Sequence, residues 1–211
     1  MKLAANALTT MQAAKAMLGI PETDIDEQRD IVIANLINSI SAWIERTTGR
    51  NLGKQVYTET LEATGTRELV LSQWPILAVD YVKDKTGGGV IDPKTYDFRE
   101  SGKTGVIYKD DGWPMRGYRG GLAYDITAPM RSVEVRYTAG YVLPKDETKR
   151  SPCTMPADLQ GIVWSMMMQE FSIMQSGAVG LSSFSISDVS WSFDKEPQQK
   201  WLDTIANYTR L

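Results

Sequence analysis

Histidine is absent from all 211 residues. That removes the side chain that most often moves protons near neutral pH and most often ligates metals, so serine and cysteine nucleophile triads lack their usual base. Cysteine occurs once, at Cys153. A single thiol excludes an internal disulfide framework and a cysteine-built zinc site, and it fits a reducing compartment. Long apolar runs are also missing. GIVWSMMM, from Gly161 to Met168, is the most apolar stretch and falls far short of the roughly 20 residues that span a bilayer. The opening MKLAANALTTMQAAKAMLG is interrupted by Gln12, Lys15 and its threonines, unlike the apolar region of a signal peptide. Neither export nor membrane insertion is expected. Charge of one sign is not in excess either. Lys and Arg number 23 against 26 Asp and Glu, a formal charge of -3, so no overall field draws the chain onto nucleic acid or anionic lipid and any DNA contact must be local.

What is present is ordinary globular material, 42% hydrophobic and 23% charged, enough to bury a core. The length suits one domain with a large insertion or two small domains. Thr9 with Gln12 predicts a capping box, followed by apolar contacts at Met11, Ala14, Met17 and Leu18 until Gly19 and Pro21 stop a short helix. Asp24 and Glu27 repeat that cap logic. Behind them Ile33, Leu36, Ile37, Ile40, Trp43 and Ile44 recur at helical spacing, predicting a long one-faced helix of about five turns that Gly49 closes in a left-handed cap.

The pattern changes at Gln55. QVYTETLEA, ELVLSQWPI and LAVDYVKD are rich in β-branched and aromatic residues and read as strands. From Thr86 to Gly121 the glycines and prolines of TGGG, SGKTG, DGWP and RGYRGG predict turns with short strands between them. SVEVRYTAGYV alternates Val133, Val135 and Tyr137 against Ser132, Glu134 and Arg136, a strand with one buried face. Pro156 then opens a helix carrying Leu159, Ile162, Val163, Met166, Phe171 and Met174 and ending at Gly177, with Trp164 on another side as an exposed or interface residue. In FSISDVSWSF the apolar parity switches near Ser187-Asp188, which predicts a hairpin turn or bulge. A short amphipathic helix bearing Trp201, Leu202, Ile205 and Tyr208 follows Pro197.

No motif gathers a reaction. Ser101-Gly102-Lys103-Thr104 has the end of a phosphate loop, but Asp97 stands where the first glycine is required and a strand pattern follows, so it reads as a turn. Gly117-Tyr118-Arg119-Gly120 matches the spacing of nucleic-acid clamping loops. Arg116, Tyr118 and Arg119 could pair with phosphate and stack on a base, yet such loops join helices and this one sits among strands. Asp24, Asp26 and Glu27 lack the glycine of a calcium loop and are read as helix caps. Asp110 and Asp111 belong to an Asp-Gly turn. Two readings of other classes stay open, a carboxylate-dependent hydrolase and a small nucleic-acid-binding module, neither with converging residues.

The order of elements and several local signatures resemble the head-tail connector (adaptor) family of long-tailed bacteriophages. The run that ends the second helix in that family is matched by Ile44, Glu45, Thr48, Gly49 and Arg50. Its Pro-Ile before a strand is matched by Pro75, Ile76 and Val79, its strand end by Tyr137, Ala139, Gly140 and Tyr141, and its helix start by Pro156, Asp158 and Leu159. The stretch after Thr86 is longer and richer in glycine than the compact family pattern.

The resemblance implies an α+β protein: a helical bundle frame of about four helices, a central antiparallel β-rich insertion, and an extended C-terminal hairpin or tail with a short terminal helix. It implies a single connector domain over residues 1–211 with a loop-rich β insertion at 86–130. The implied role is structural and non-enzymatic, with no cofactor. The protein would form a homo-oligomeric ring of about twelve subunits under the portal, extend the DNA channel and dock neck or tail-completion proteins. Double-stranded DNA would pass without sequence-specific binding, and no membrane is involved. The setting would be the head-tail junction of the virion, after assembly in the host cytoplasm. Subunit or portal contacts are expected at Glu45, Arg46, Arg50, Trp191, Phe193, Trp201, Tyr208 and Arg210, and channel or neighbour contacts at Arg116, Tyr118 and Arg119.

Overall fold

The computed structural model describes residues 2–85, 89–114, 118–119, 123–124, 132–176, 183–186, 189–192 and 196–209. Its helices are α1 (Met11–Met17), α2 (Glu27–Thr48), α3 (Ala157–Ser176) and α4 (Glu196–Ala206). The strands of the first half are β1 (Gln55–Leu61), β2 (Glu68–Val70), β3 (Ile76–Asp84), β4 (Gly89–Val90) and β5 (Val106–Tyr108). They are followed by β6 (Tyr118–Arg119), β7 (Ala123–Tyr124), β8 (Val133–Ala139), β9 (Ser183–Ile186) and β10 (Val189–Ser192). The chain divides into two compact units. The first is formed by both ends, Met1–Leu52 with Val142–Arg210, and the second by Gly53–Tyr141. The expected α+β architecture is the one observed.

The helical unit follows its apolar periodicity. Ile33, Ile37, Ile40 and Ile44 of α2 are buried, as are Leu159, Ile162, Val163 and Met167 of α3 and Ile205 of α4. The methionine that faces the core is Met167 rather than the expected Met166, which is half-buried. Both helix starts lie nearer the helix than the cap patterns suggested. Thr10, not Thr9, caps α1 by accepting the Ala13 N–H at 3.1 Å. Thr9 is buried and accepts the indole N–H of Trp164 at 3.2 Å, which brings Trp164 half inside instead of leaving it on the surface. Asp26, not Asp24, caps α2 by accepting from the N–H groups of Gln28 and Arg29. The Asp24 carboxylate meets the Arg29 guanidinium at 2.8 Å instead. In each case a competing side-chain partner decided which of two chemically suitable residues became the cap. At the other end of α2, Gly49 has φ 68° and closes the helix in the left-handed region as expected. Thr48 beside it is buried, its hydroxyl donating back to the Ile44 carbonyl at 3.0 Å.

The second unit is built on a sheet of order β1-β8-β3-β4. β8 pairs antiparallel with β1 and with β3, so both its edges are satisfied. Its alternation is the predicted one: Val133, Val135, Tyr137 and Ala139 are buried, while Arg136 is exposed. Those side chains share a core with Val82, Ile76, Ile107, Leu69, Leu71 and Trp113. β2 and β5 form a separate two-stranded ladder, and the Trp113 indole N–H ties the following loop back to the Arg67 carbonyl at 3.0 Å. Within residues 86–130 the described parts are short strands and single 3-10 turns, consistent with the turn-rich composition. The switch of parity in FSISDVSWSF corresponds to antiparallel pairing of β9 with β10, Ile186 opposite Val189. Ser187 and Asp188 themselves lie outside the described residues.

Gly112 carries a specific backbone demand. Its φ is 79°, and a Cβ there would stand 2.6 Å from the Gly65 carbonyl oxygen. Gly112→Ala is expected to lower the free energy of unfolding by about 2 kcal/mol, measured by urea denaturation.

Candidate functional site

The cluster that ends α2 is held together inside the helical unit. Asn38, Ser41 and Glu45 lie three and four residues apart, on one side of α2. Asn38 Oδ1 accepts the Ala4 N–H at 2.8 Å, Ser41 Oγ accepts the Leu8 N–H at 3.0 Å, and Glu45 Oε2 accepts from Asn6 Nδ2 at 2.7 Å. The N-terminal segment is thereby fastened along the helix. The other Glu45 oxygen accepts the N–H of Leu52 at 2.9 Å, just after the chain has left the helix. One carboxylate thus fixes both the segment before α1 and the exit from α2. Sequence reading missed Asn38 and Ser41 because they are polar positions along the apolar stripe of α2, and Asn6 because it lies before the first helix. The signal available was that Ser41 falls on the same helical face as Ile37 and Ile44.

The candidate interface residues are not gathered in one place. Arg46 is exposed on α2. Arg50 is only 3% exposed, so its guanidinium serves the interior of the subunit and not an open docking surface. Burying a guanidinium is tolerated only where the chain itself provides partners. Trp201 is half-buried on α4, and the Tyr208 hydroxyl is within 2.7 Å of both Asp158 oxygens, pinning the end of the chain to the start of α3. The backbone of Trp191 lies in β10 opposite Phe184, and Tyr118 and Arg119 form β6 opposite Tyr124 and Ala123. The GxxG-like stretch therefore contributes to a β-hairpin and not to a link between helices. Phe193, Arg210 and Arg116 lie outside the described residues.

Polar groups in the β unit are likewise committed to architecture. Glu59 accepts from the Ser72 hydroxyl, from the Ser72 N–H at 3.1 Å and from the Tyr137 hydroxyl. Burial, followed by this hydrogen bond to a carboxylate, pushes the Tyr137 phenol far above the ordinary tyrosine range. The Ser101–Thr104 segment is a single 3-10 turn. Its Ser101 and Thr104 hydroxyls donate to the carbonyls of Val106 and Ser101, leaving no phosphate cradle. Asp111 faces Lys109 at 3.6 Å across the turn that Gly112 makes. A groove of about 680 Å3 beside β2 is lined by Leu61, Arg67, Val70 and Tyr108 among others, with the Arg67 guanidinium donating to the Tyr108 hydroxyl at 3.4 Å. No acid–base pair converges on it among the described residues.

A model of the family described as head completion protein matches residues 7–159, which takes in α1, α2, the whole β unit and the start of α3. Among curated proteins, none matches. A chain of the structure described as the virion of a native gene transfer agent (GTA) particle aligns at 14% identity. That alignment has a TM-score of 0.52 and covers 100% of this chain and 93% of the other. A chain from the neck of an empty GTA particle computed with C6 symmetry aligns at 12% identity and a TM-score of 0.49, covering 100% and 94%. The arrangement described above and the family match define a structural protein of the head-tail connector type. The chain belongs to the head completion protein family.

Glu45→Ala is expected to destabilise the fold by about 2 kcal/mol, because two donors lose a charged acceptor. Arg46→Ala, on the open side of the same helix, is expected to change stability by less than about 0.5 kcal/mol; urea denaturation of both variants makes the comparison. Tyr137 generates a pH dependence. Its folded-state proton is held more tightly than in the unfolded chain, so its contribution is full below pH about 10 and is lost as pH rises and the unfolded chain alone ionises. Stability measured between pH 8 and about 11 should fall less steeply in Tyr137→Phe than in the parent protein.

Proposed function

We propose that this chain is one subunit of a closed homo-oligomeric ring of about twelve copies. The ring seats beneath the portal of a phage-like particle, lengthens the DNA channel and offers its far side to neck or tail-completion proteins. The observation that carries this reading is the head completion family match over residues 7–159. The near-balanced charge of -3 supports a conduit, since strong cationic attraction would hold duplex DNA back. On this reading the protein catalyses nothing and needs no cofactor. Its place is the neck of the virion, and its assembly occurs in the host cytoplasm.

Side chains proposed for subunit or portal contact are Arg46 on the open face of α2, Trp201 on α4, and Trp191, Phe193 and Arg210 of the C-terminal region. Glu45 and Tyr208 support those contacts from inside, through the bonds that hold α2 and the last described residues in position, and the buried Arg50 does so at the exit of α2, where its backbone N–H donates to the Glu45 carbonyl. Arg116, Tyr118 and Arg119 are proposed as channel or neighbour contacts.

Native mass spectrometry of the full chain, alone and co-expressed with the portal protein encoded in the same genome, tests the reading. A ring mass bound to the portal is expected, and a monomer that ignores the portal refutes it. In the same assay Trp191→Ala, or removal of Arg210 and Leu211, should cut portal capture about tenfold, equivalent to roughly 1.4 kcal/mol. Stability should move by less than about 0.5 kcal/mol in the truncated protein, because the Tyr208 to Asp158 bonds are retained.

A further inference from the structure

An arm braced at both ends runs from Val142 to Thr154 in the helical unit. At its base the Val142 N–H donates to Thr154 Oγ1 at 2.9 Å, and the Thr154 N–H donates to the Val142 carbonyl at 3.1 Å. Val142, Leu143 and Met155 are buried there and anchor it. At its tip the Thr148 N–H donates to the Ser151 carbonyl at 2.9 Å, while the Ser151 N–H donates to the Thr148 carbonyl at 3.1 Å and to Thr148 Oγ1 at 3.0 Å. Only two residues fit between these reciprocal bonds. They are Lys149 and Arg150, both exposed.

Neither cation has an ion-pair partner among the described residues, whereas Lys145, earlier in the arm, is paired with Asp146 at 2.8 Å. Between Lys145 and Arg150 three cations face two anions, Asp146 and Glu147, a net of +1 on a chain whose total is -3. Glu147, Thr148 and Pro152 are the exposed neighbours of the tip, with Ser151 half-buried. No aromatic or large aliphatic side chain stands among them. Protein docking sites draw most of their affinity from aromatic and arginine anchors packed in desolvated pockets; this tip offers one exposed arginine and no aromatic or large aliphatic side chain to pack around it. Phosphate contacts need charge and fixed position and nothing else. A turn locked by three hydrogen bonds also loses little conformational freedom when its cations engage.

The geometry points to the Lys149–Arg150 turn as a contact for the phosphate backbone of double-stranded DNA. The inference rests on the ring reading, which supplies the duplex. One turn from each subunit makes a collar of point contacts around the channel. No side chain at the tip is suited to reading base edges, so the contact is independent of sequence, and the net negative charge of the rest of the chain keeps it weak enough for DNA to move.

The test is fluorescence anisotropy of a short labelled duplex titrated with the full chain in its assembled form, between roughly 50 and 200 mM salt. The parent protein is expected to bind weakly, with log affinity falling as log salt rises. Lys149→Ala combined with Arg150→Ala should reduce that slope by about 2 for each subunit in contact. Lys94→Ala, an exposed lysine on another turn, should leave it unchanged. Ring mass and portal capture, read on the same double variant, separate this inference from the one it rests on. A ring that forms while the double variant keeps the parental slope overturns the DNA contact alone. Absence of any duplex binding by the parent at the lowest salt also overturns it, as does a double variant that loses portal capture but keeps the slope.

Discussion

The Glu45 carboxylate is the constraint on which the helical unit depends. A long helix with one apolar face does not by itself say where the chain before it or after it must go. Here the two oxygens answer both questions, one accepting from Asn6 and the other from the Leu52 N–H. Asn38 and Ser41 extend the same row and take the backbone of Ala4 and Leu8. Because the Ser41 hydroxyl is buried, its bonds are costly to leave unmade, and the N-terminal segment has little freedom to settle elsewhere. Gly49 then lets the chain turn sharply enough for Leu52 to reach back to Glu45.

The second unit solves a different problem with β8. A strand with neighbours on both sides exposes no edge, so the aggregation hazard of an open ladder passes to β1 and to the short β4. Tyr137 puts a phenol in the middle of this core, and that polar group is tolerated because its hydroxyl donates a hydrogen bond to Glu59. The Glu59 carboxylate in turn holds Ser72 through both hydroxyl and backbone. What resembles a Tyr-Glu-Ser constellation is thus a brace between a strand and the loop after β2.

These two braces bear on function. On the ring reading proposed above, each subunit would have to present a reproducible outer surface to its neighbours and to the partners on either side, and repeated heterologous contacts amplify any error in that surface. Carboxylates spent on holding segments in place suit that requirement better than carboxylates left free for chemistry. The braced arm at Val142–Thr154 follows the same pattern, with hydrogen bonds at base and tip fixing a loop whose apex is charged.

Much of the fold was legible in the residues. The isoleucines of α2, the alternation of β8 and the flip of parity between Ile186 and Val189 are local periodicities, and local periodicity survives into structure because one face must be buried. The left-handed cap at Gly49 was legible for a similar reason, since glycine tolerates that backbone without cost. The choice of Thr10 over Thr9 and of Asp26 over Asp24 was not, because it turned on Trp164 and on Arg29 capturing the rival side chains. Nor could the sequence reveal that Arg50 is interior while Arg46, four residues earlier, is open. Sequence determined the elements, their order and the family resemblance they carry. Tertiary structure alone decided which polar side chains are spent inside the subunit and which remain to meet a partner, because a hydrogen bond between residues such as 6 and 45 depends on distances in space that no spacing along the chain encodes.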